Sequence, residues 1–515
     1  MTHDVRSGTL SRHALLQRTA RAGIGALLAV AEGGSLLTAA TARHPRAIQD
    51  AEASRPHKAV TVRLIDSGDN KMFFWTWFAK DYHRRYPNRS IAYDALPWTQ
   101  IAQVIPLAVR NGTAPDVFQV PLAVQPAQAV QQSWVQPWDA YIPGFDAWKR
   151  AFPPGSFLPG TTDFGGKTFA LPVSSNRVYN TLLHYNPDYL HRAGYDPASH
   201  PLTWNEFRLA ARKVTQQGGG RYYGLITSGN QPNIWGSFVR NLARMAGASA
   251  GGDDIDYKTG AYNYTADAYI AAIELLLALK ADGSVFPGIM DLNAPQARAI
   301  VPQGTAAMIL QGPWTVALWL KQNPHFRFGV AGQPIPDHGR PLPLTVAPGS
   351  GNYYWLYAKS ENGAVAGDIF HYLGTLSGQK AWAKLDGGGD PPLFAQAAQG
   401  DTLPAVVRTA VQLGMDQTRI GPDPVVATLD VVRVIEELKT PEPDFDGVVQ
   451  GLYTGQLSNP KQQMRATKER YEMALEQAIK AARAKGARVS RDDWKFSNWD
   501  PTKNYTADDY RAQSG

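Results

Sequence analysis

From Ala59 to Val120 the chain switches repeatedly between two hydrophobic periods, and this alternation restricts it to a small set of architectures. Ala59–Ile65 (AVTVRLI) alternates as a half-buried strand does. Phe73–Tyr86 follows with helical spacing. Ser90–Ala95 reads as a second strand, Thr99–Arg110 as a helix ended by Asn111 and Gly112, and Asp116–Val120 as a third strand. Strands alternating with helices predict an α/β lobe. At 515 residues the chain exceeds one simple core and is long enough for two lobes. Further helices are expected over Pro201–Val214, where Thr203 and Glu206 have capping-box spacing, and over Ile234–Ala246, Thr265–Ala281, Ala364–Leu376, Val425–Leu438 and Lys461–Ala484. Short strands are expected at Leu225–Thr227, Phe326–Val330 and Asn352–Ala358.

The stretch Pro302–Trp314 (PQGTAAMILQGPW) combines a turn, a short apolar run at Ala306–Leu310 with the length of a buried strand, and a Gly312-Pro313 stop. Proline suits the first position of a helix, so Trp314 falls on a strand-to-helix corner where its ring can project into a cleft. A core position is the other reading of a lone Trp. Gly304, Ala306 or Ala307, Met308, Gly312, Pro313 and Trp314 resemble a G-x-A-M-x-x-x-G-P-W segment of the extracellular solute-binding proteins of ABC importers, in particular the sugar-binding group that includes maltose-binding protein. In that group the Trp stacks on bound sugar. NGTAPDVFQVP (Asn111–Pro121), the Gly165–Pro172 stretch and GSGNYYWLYAKSENGAVAGDIFHYL (Gly349–Leu373) resemble further segments of the same family, in the same order.

The resemblance implies an α/β fold of two lobes joined by hinge crossings, with a ligand cleft between them. Crossings are expected at Phe169–Asn186, within Pro334–Pro348, and near Ser377 and Gly378. They divide the chain into an export signal (1–42), a linker (43–58), a first lobe (59–170 and 347–376), a second lobe (171–346 and 377–485) and a polar C-terminal extension (486–515).

Arg6, Arg12, Arg18 and Arg21 precede a run of small and apolar residues, and Ala40 and Ala42 give the small-x-small pattern of a signal-peptidase site. Ser11–Gln17 (SRHALLQ) resembles a twin-arginine signal in which His13 replaces the second Arg. The absence of cysteine excludes disulfides, thiolate metal sites, a Cys nucleophile and a lipidated Cys anchor. These features predict a freely soluble periplasmic protein. The net charge of +7 is spread out, with no basic stripe for nucleic acid.

Chemical signatures are missing. There is no H-E-x-x-H, no nucleophile elbow around Gly349-Ser350-Gly351, and no G-x-G-x-x-G after the first strand. GGKT (Gly165–Thr168) fails the P-loop spacing, because Thr161 stands where the first Gly is required. No catalytic residue, metal or cofactor is expected. What remains is aromatic: 14 Trp, 22 Tyr and 18 Phe are many for a chain without a catalytic signature. A sugar, with apolar C–H faces and a hydroxyl rim, suits aromatic faces flanked by Asn, Asp and Gln.

Ligands collect at the carboxyl ends of strands in open α/β sheets. That rule nominates Asp69 and Asn70 after the first strand; Trp98, between the second strand and a helix, and Gln119, in the third strand, are further candidates. A plain turn with a helix cap is the alternative for Asp69 and Asn70. Trp235, at a helix start after GNQPN, is a candidate for the cleft wall of the second lobe, and Ser350 for a crossing. The resemblance adds Asn176, at a position where maltose-binding protein has an acid that hydrogen-bonds sugar, and Tyr179, which also reads as core. Val120, Ala123 and Val124 replace the Trp, Asp and Arg of the maltose pattern, so the resemblance does not extend to maltose itself.

The expected function is capture of a sugar or oligosaccharide by a monomeric protein that hands it to a membrane permease. The alternatives are a binding protein for a polyamine, sugar acid or sugar phosphate, with Arg177 the nearest cation, or an exported carbohydrate-active enzyme. Protein recovered from the native envelope should lack residues up to about Ala42, because signal peptides are removed on export. Mass-spectrometric peptides starting before Arg43 in the mature pool would contradict this.

Overall fold

A computed structural model describes residues 59–122, 124–175, 181–248, 250–251, 253–348, 353–398 and 403–513. The expected signal and linker lie outside them. The chain opens with β1 (Val60–Asp66), α1 (Lys71–Arg85) and β2 (Arg89–Ala95), and β1 and β2 pair in parallel. Alternation along β1 buries Val62 and Leu64 completely. Next come α2 (Trp98–Arg110) and β3 (Val117–Phe118), which lies parallel to β1. The third strand is shorter than expected. β4 (Val135–Gln136) and β5 (Ala170–Pro172) follow. The Gly165-Gly166 pair, at φ 57° and 77°, turns a short hairpin.

The chain then passes into a second body. It contains β6 (Leu182–Tyr185), α3 (Trp204–Gly218), β7 (Tyr223–Ile226), α4 (Ile234–Met245), α5 (Asp267–Ala281), α6 (Ala294–Ile300), β8 (Ala306–Gln311), α7 (Trp314–Gln322), β9 (Gly329–Ala331) and β10 (Leu344–Val346). The capping box forms: Glu206 N–H donates to Thr203 Oγ1 (3.2 Å) and Thr203 N–H to Glu206 Oε2 (2.8 Å). The sheet order is β9-β6-β8-β7, with β7 and β8 parallel. All six residues of β8 are buried, the five of its apolar run as predicted and Gln311 with them.

β11 (Tyr353–Tyr357) returns to the first sheet and completes the order β2-β1-β3-β11-β4, with β5 also on β11. α8 (Gly363–Leu373) and α9 (Leu376–Trp382) cover it. β12 (Thr418–Ile420) then pairs with β10 in the second body, and α10 (Pro460–Ala484) packs there. The helix expected at Val425–Leu438 is two short ones, Pro424–Ala427 and Val431–Glu437, because Thr428 takes an extended conformation between them.

The molecule thus has a two-lobed α/β fold with two main cores. One gathers Val62, Phe74, Trp75, Tyr354, Phe370 and Trp382. The other gathers Leu183, Phe207, Leu225, Tyr269, Ile309 and Trp319. The crossings lie side by side: Tyr353 pairs with Pro172, Ser174 bridges Pro392, and Ser175 N–H donates to Pro391 O (2.7 Å).

Two expectations need correction. The third crossing is not at Ser377 and Gly378. Gly378 is a helix residue at a close approach, where a Cβ would meet Tyr372 O at 2.0 Å, and α9 continues on the first core with Trp382 against Phe74 (5.1 Å). Leu393 and Phe394 still pack on that core. Nor is the C-terminal stretch a loose polar tail. Trp494, Phe496, Trp499 and Tyr505 enter the second core, while Phe496 N–H donates to Tyr257 O (2.7 Å) and Tyr505 N–H to Ile420 O (2.8 Å). Trp499→Ala should therefore cost about 3–5 kcal/mol, the range for deleting a buried aromatic. Denaturant melts check this; an unchanged midpoint would return the segment to tail status.

Candidate ligand site at the strand carboxyl ends

The turn after β1 is built by short-range bonds. Gly68 N–H donates to Asp66 Oδ1 (2.7 Å), Leu96 N–H to Asp66 O (2.9 Å), and Ser67 N–H to Gln119 Oε1 (2.8 Å). Gly68, at φ 69°, lies where a Cβ would be 2.9 Å from Ala95 Cβ, so only glycine fits beside the end of β2. These bonds bring the carboxyl ends of β1, β2 and β3 together. Asp69 follows at φ 56°, a left-handed conformation that Asp tolerates better than most residues.

From the turn, Asp69 reaches the other lobe. Its Oδ1 accepts from Arg298 Nη2 (2.6 Å), and Arg298 Nη1 donates to Gln311 Oε1 (3.4 Å) at the end of β8. The Arg298 side chain is 5% exposed and that of Asp69 33%. The carboxyl edges of the two sheets therefore meet through one guanidinium. Asn70 is fully buried, and its Nδ2 donates to Asp386 Oδ1. Lys71 Nζ lies 3.5 Å from Asp390 Oδ2. Burial works to depress the Lys71 pKa, but Asp390, Asp66, Asp69 and Asp386 outweigh it and raise it above the usual lysine value. Burial, reinforced by Asp390, pushes the Asp386 carboxyl well above the usual range.

Trp314 stands half-buried at the start of α7. A Cβ on Gly312 would be 2.2 Å from the indole Cη2, so Gly312 lets the ring lie against the backbone. Gly389 fills the space between lobes: its Cβ would be 2.2 Å from Asn70 Nδ2 and 2.7 Å from Trp314 Cα. Among the described residues, Asn70 Oδ1, Gln119 Nε2, Arg298 Nε, Trp314 Nε1 and Thr315 Oγ1 are buried polar atoms without a hydrogen-bond partner. Such atoms also occur within the cores, Trp138 Nε1 and His184 Nε2 among them, so what marks this place is the gathering of five in one cluster.

The nominated residues divide accordingly. Asp69, Asn70 and Gln119 share one loop cluster, and Trp314 adjoins Asn70 across Gly389. Trp98 is half-buried at the start of α2, against Ile101 and its neighbours. Trp235 is not on a cleft wall. It is 2% exposed in the second core, packs on Tyr453 (4.5 Å), and its Nε1 donates to Gly229 O (3.1 Å). The ring of a residue in the first turn of an amphipathic helix points to the core as readily as to a cleft. Asn176, Tyr179 and Ser350 lie outside the described residues. Arg298, Lys71 and Asp386 escaped sequence reasoning. The Gly387–Gly389 run before Asp390 carried a usable signal of close approach, whereas Arg298 is one arginine among many. A surface cavity of about 510 Å³ beside Asn186, Pro302, Asn323 and Arg327 lies by the amino end of β8, away from this cluster. No group of His and acidic side chains among the described residues is arranged to hold a metal ion.

Strand carboxyl ends of two lobes converging beside a triple crossing define a hinged binding protein. The chain matches the family model of the bacterial extracellular solute-binding proteins over residues 70–380, more than half its length, and belongs to that family. Its fold is similar to the GacH receptor of Streptomyces glaucescens, solved unliganded and with acarbose (TM-score 0.61, 19% identity, covering 81% of this chain and 98% of that one). It is also similar to maltose-bound T. maritima MalE3 (0.61, 18%, 81% and 100%) and to MalE of Bdellovibrio bacteriovorus bound to maltotriose (0.58, 19%, 82% and 100%). No curated protein sequence matches the chain. The family is one of binding proteins rather than enzymes, and no described helix is long and apolar enough to cross a membrane.

His184 on β6 is fully buried against Trp319, its Nδ1 3.3 Å from Leu182 O. Burial pushes its pKa down to about 3; the Leu182 carbonyl opposes this and the Arg298 charge adds to it. The folded state therefore holds the ring neutral while the unfolded chain protonates it below about pH 6.5. Stability should fall on acidification from about pH 6.5 towards 3, approaching about 1.4 kcal/mol per pH unit from this residue. Denaturant melts across that range should show a shallower slope for His184→Gln; an equal slope would contradict the assignment.

Proposed function

We propose that this chain is the periplasmic, monomeric substrate-binding component of an ABC importer, exported by a degenerate twin-arginine signal, and that its ligand is a neutral sugar or oligosaccharide. The observation that carries this reading is the pairing of charge at the strand ends. Asp69 is taken by Arg298 and Lys71 by Asp390. Of the five unpartnered atoms, those of Asn70, Gln119, Trp314 and Thr315 are neutral donors and acceptors beside a half-buried indole, and the fifth, Arg298 Nε, belongs to a guanidinium already paired with Asp69. That set suits hydroxyls and a C–H ring face better than a polyamine, a carboxylate or a phosphate, which would call for unpaired charge. Sugar ligands among the fold relatives support the same class. On this reading Asp69, Asn70, Trp98, Gln119 and Trp314 bear on the ligand together with Asn176, Tyr179 and Ser350, and the lobes close on it by hinge motion. The protein catalyses nothing.

A thermal-shift panel of neutral mono- and oligosaccharides, sugar acids, sugar phosphates and polyamines tests the class, since a ligand of the native state raises the melting temperature. A rise confined to charged ligands would overturn the neutral-sugar reading, and turnover of a glycan would replace it with an enzyme. With the best sugar, Trp314→Ala should lose about 2 kcal/mol, roughly thirtyfold in Kd by calorimetric titration. Near-normal affinity in a destabilised protein would make Trp314 a core residue.

A further inference from the structure

Two cations of the second lobe contact the start of α1 in the first. Arg298, from α6, holds Asp69 at 2.6 Å. Lys321, from α7, places its Nζ 3.5 Å from the centre of the Phe73 ring and donates to Leu385 O (3.1 Å). Asp69 and Phe73 are four residues apart. Their two partners are fixed relative to each other, because the Trp319 indole N–H donates to the backbone carbonyl of Arg298 (2.9 Å) and joins α7 to α6. Asn70 and Lys71 do a different job: they bond Asp386 and Asp390, just ahead of the Pro391 and Pro392 contacts with Ser175 and Ser174, and so tie that stretch to α1.

We propose that Arg298 and Lys321 form a two-point cationic clamp on the start of α1 that favours the closed arrangement of the lobes, whatever the ligand. Both contacts are made between protein groups alone, so their free energy counts towards closure without any contribution from bound solute. The hinge lies at Pro172, Tyr353, Ser174 and Pro392. Rotation about it carries α6 and α7 away from α1 and breaks both contacts. Arg298 is almost fully buried, so its ion pair is weakly screened by salt. A cation over an aromatic face adds a second, independent attraction. Affinity then depends on the clamp as well as on the binding groups, because a ligand meets a cleft whose closed form is already populated.

The test uses the mature full-length protein, freed of solute by unfolding, dialysis and refolding, and requires no sugar, so it stands apart from the ligand assignment. Small-angle scattering compares wild type with Asp69→Asn, Lys321→Gln and the double variant. Asn keeps the tolerance for positive φ at position 69, and Lys321 is solvent-exposed, so Lys321→Gln leaves an interpretable arm even where Asp69→Asn fails to fold. Each single variant should have a larger radius of gyration than wild type, and the double variant the largest. A folded double variant with the wild-type radius, or a folded Lys321→Gln with the wild-type radius where the double does not fold, overturns the clamp.

Discussion

The buried carboxylate of Asp66 is the interaction on which the rest of the site depends. It lies at the end of β1, fully buried, and takes four hydrogen bonds: Oδ1 from Gly68 N–H (2.7 Å) and Tyr93 O–H (2.7 Å), and Oδ2 from Trp75 Nε1–H (3.0 Å) and Tyr354 O–H (2.6 Å). Burial raises its pKa, while the charge of Lys71 and the hydrogen bonds from Tyr354, Tyr93 and Gly68 pull the other way. A buried charge is tolerable only when paired and hydrogen-bonded. Here the donors come from the turn itself and from β2, α1 and β11. One side chain therefore fixes the turn that carries Asp69, Asn70 and Lys71 against three elements of the first lobe.

From that fixed turn the polar network runs outward in two directions. Towards the hinge, Asn70 and Lys71 engage Asp386 and Asp390, and the glycines between those acids allow backbone to approach within contact of Asn70 and Trp314. Towards the second lobe, Asp69 engages Arg298 and through it Gln311. The consequence is a site whose charges are largely neutralised by one another. Its remaining hydrogen-bonding capacity sits on amides, an indole, a hydroxyl and the Nε of the Arg298 guanidinium. The short stretch from Asp69 to Lys71 thus contacts both the second lobe, through Arg298, and the segment that carries Asp386 and Asp390.

Much of this was legible in the chain because it rests on local rules. Period-two and period-3.6 patterning located β1, β2, α1 and α5, and the Thr203–Glu206 spacing located the start of α3, since a capping box is satisfied within four residues. Gly312-Pro313-Trp314 marked a strand-to-helix corner for reasons the geometry makes plain: the indole lies against a glycine backbone. Trp235 misled, because a helix-start aromatic carries no local mark of which way it faces. Gly378 misled for a related reason. A glycine serving a hinge and a glycine serving a close helix approach look alike until the neighbouring Tyr372 carbonyl is in view.

The sequence by itself determined the fold class, the family, the order of strands and helices, and the presence of polar residues after β1 and of Trp314 after β8. Those follow from hydrophobic period, caps and stops, which act over a few residues. Tertiary structure alone decided that Arg298 meets Asp69 across 229 positions of chain, that Asn70 meets Asp386 across 316, and that the aromatic C-terminal stretch completes the second core. Ion pairs and buried contacts at such separations depend on how the lobes dock and where the chain recrosses. No local pattern encodes that docking, because the desolvation that gives each contact its strength exists only once both lobes are in place.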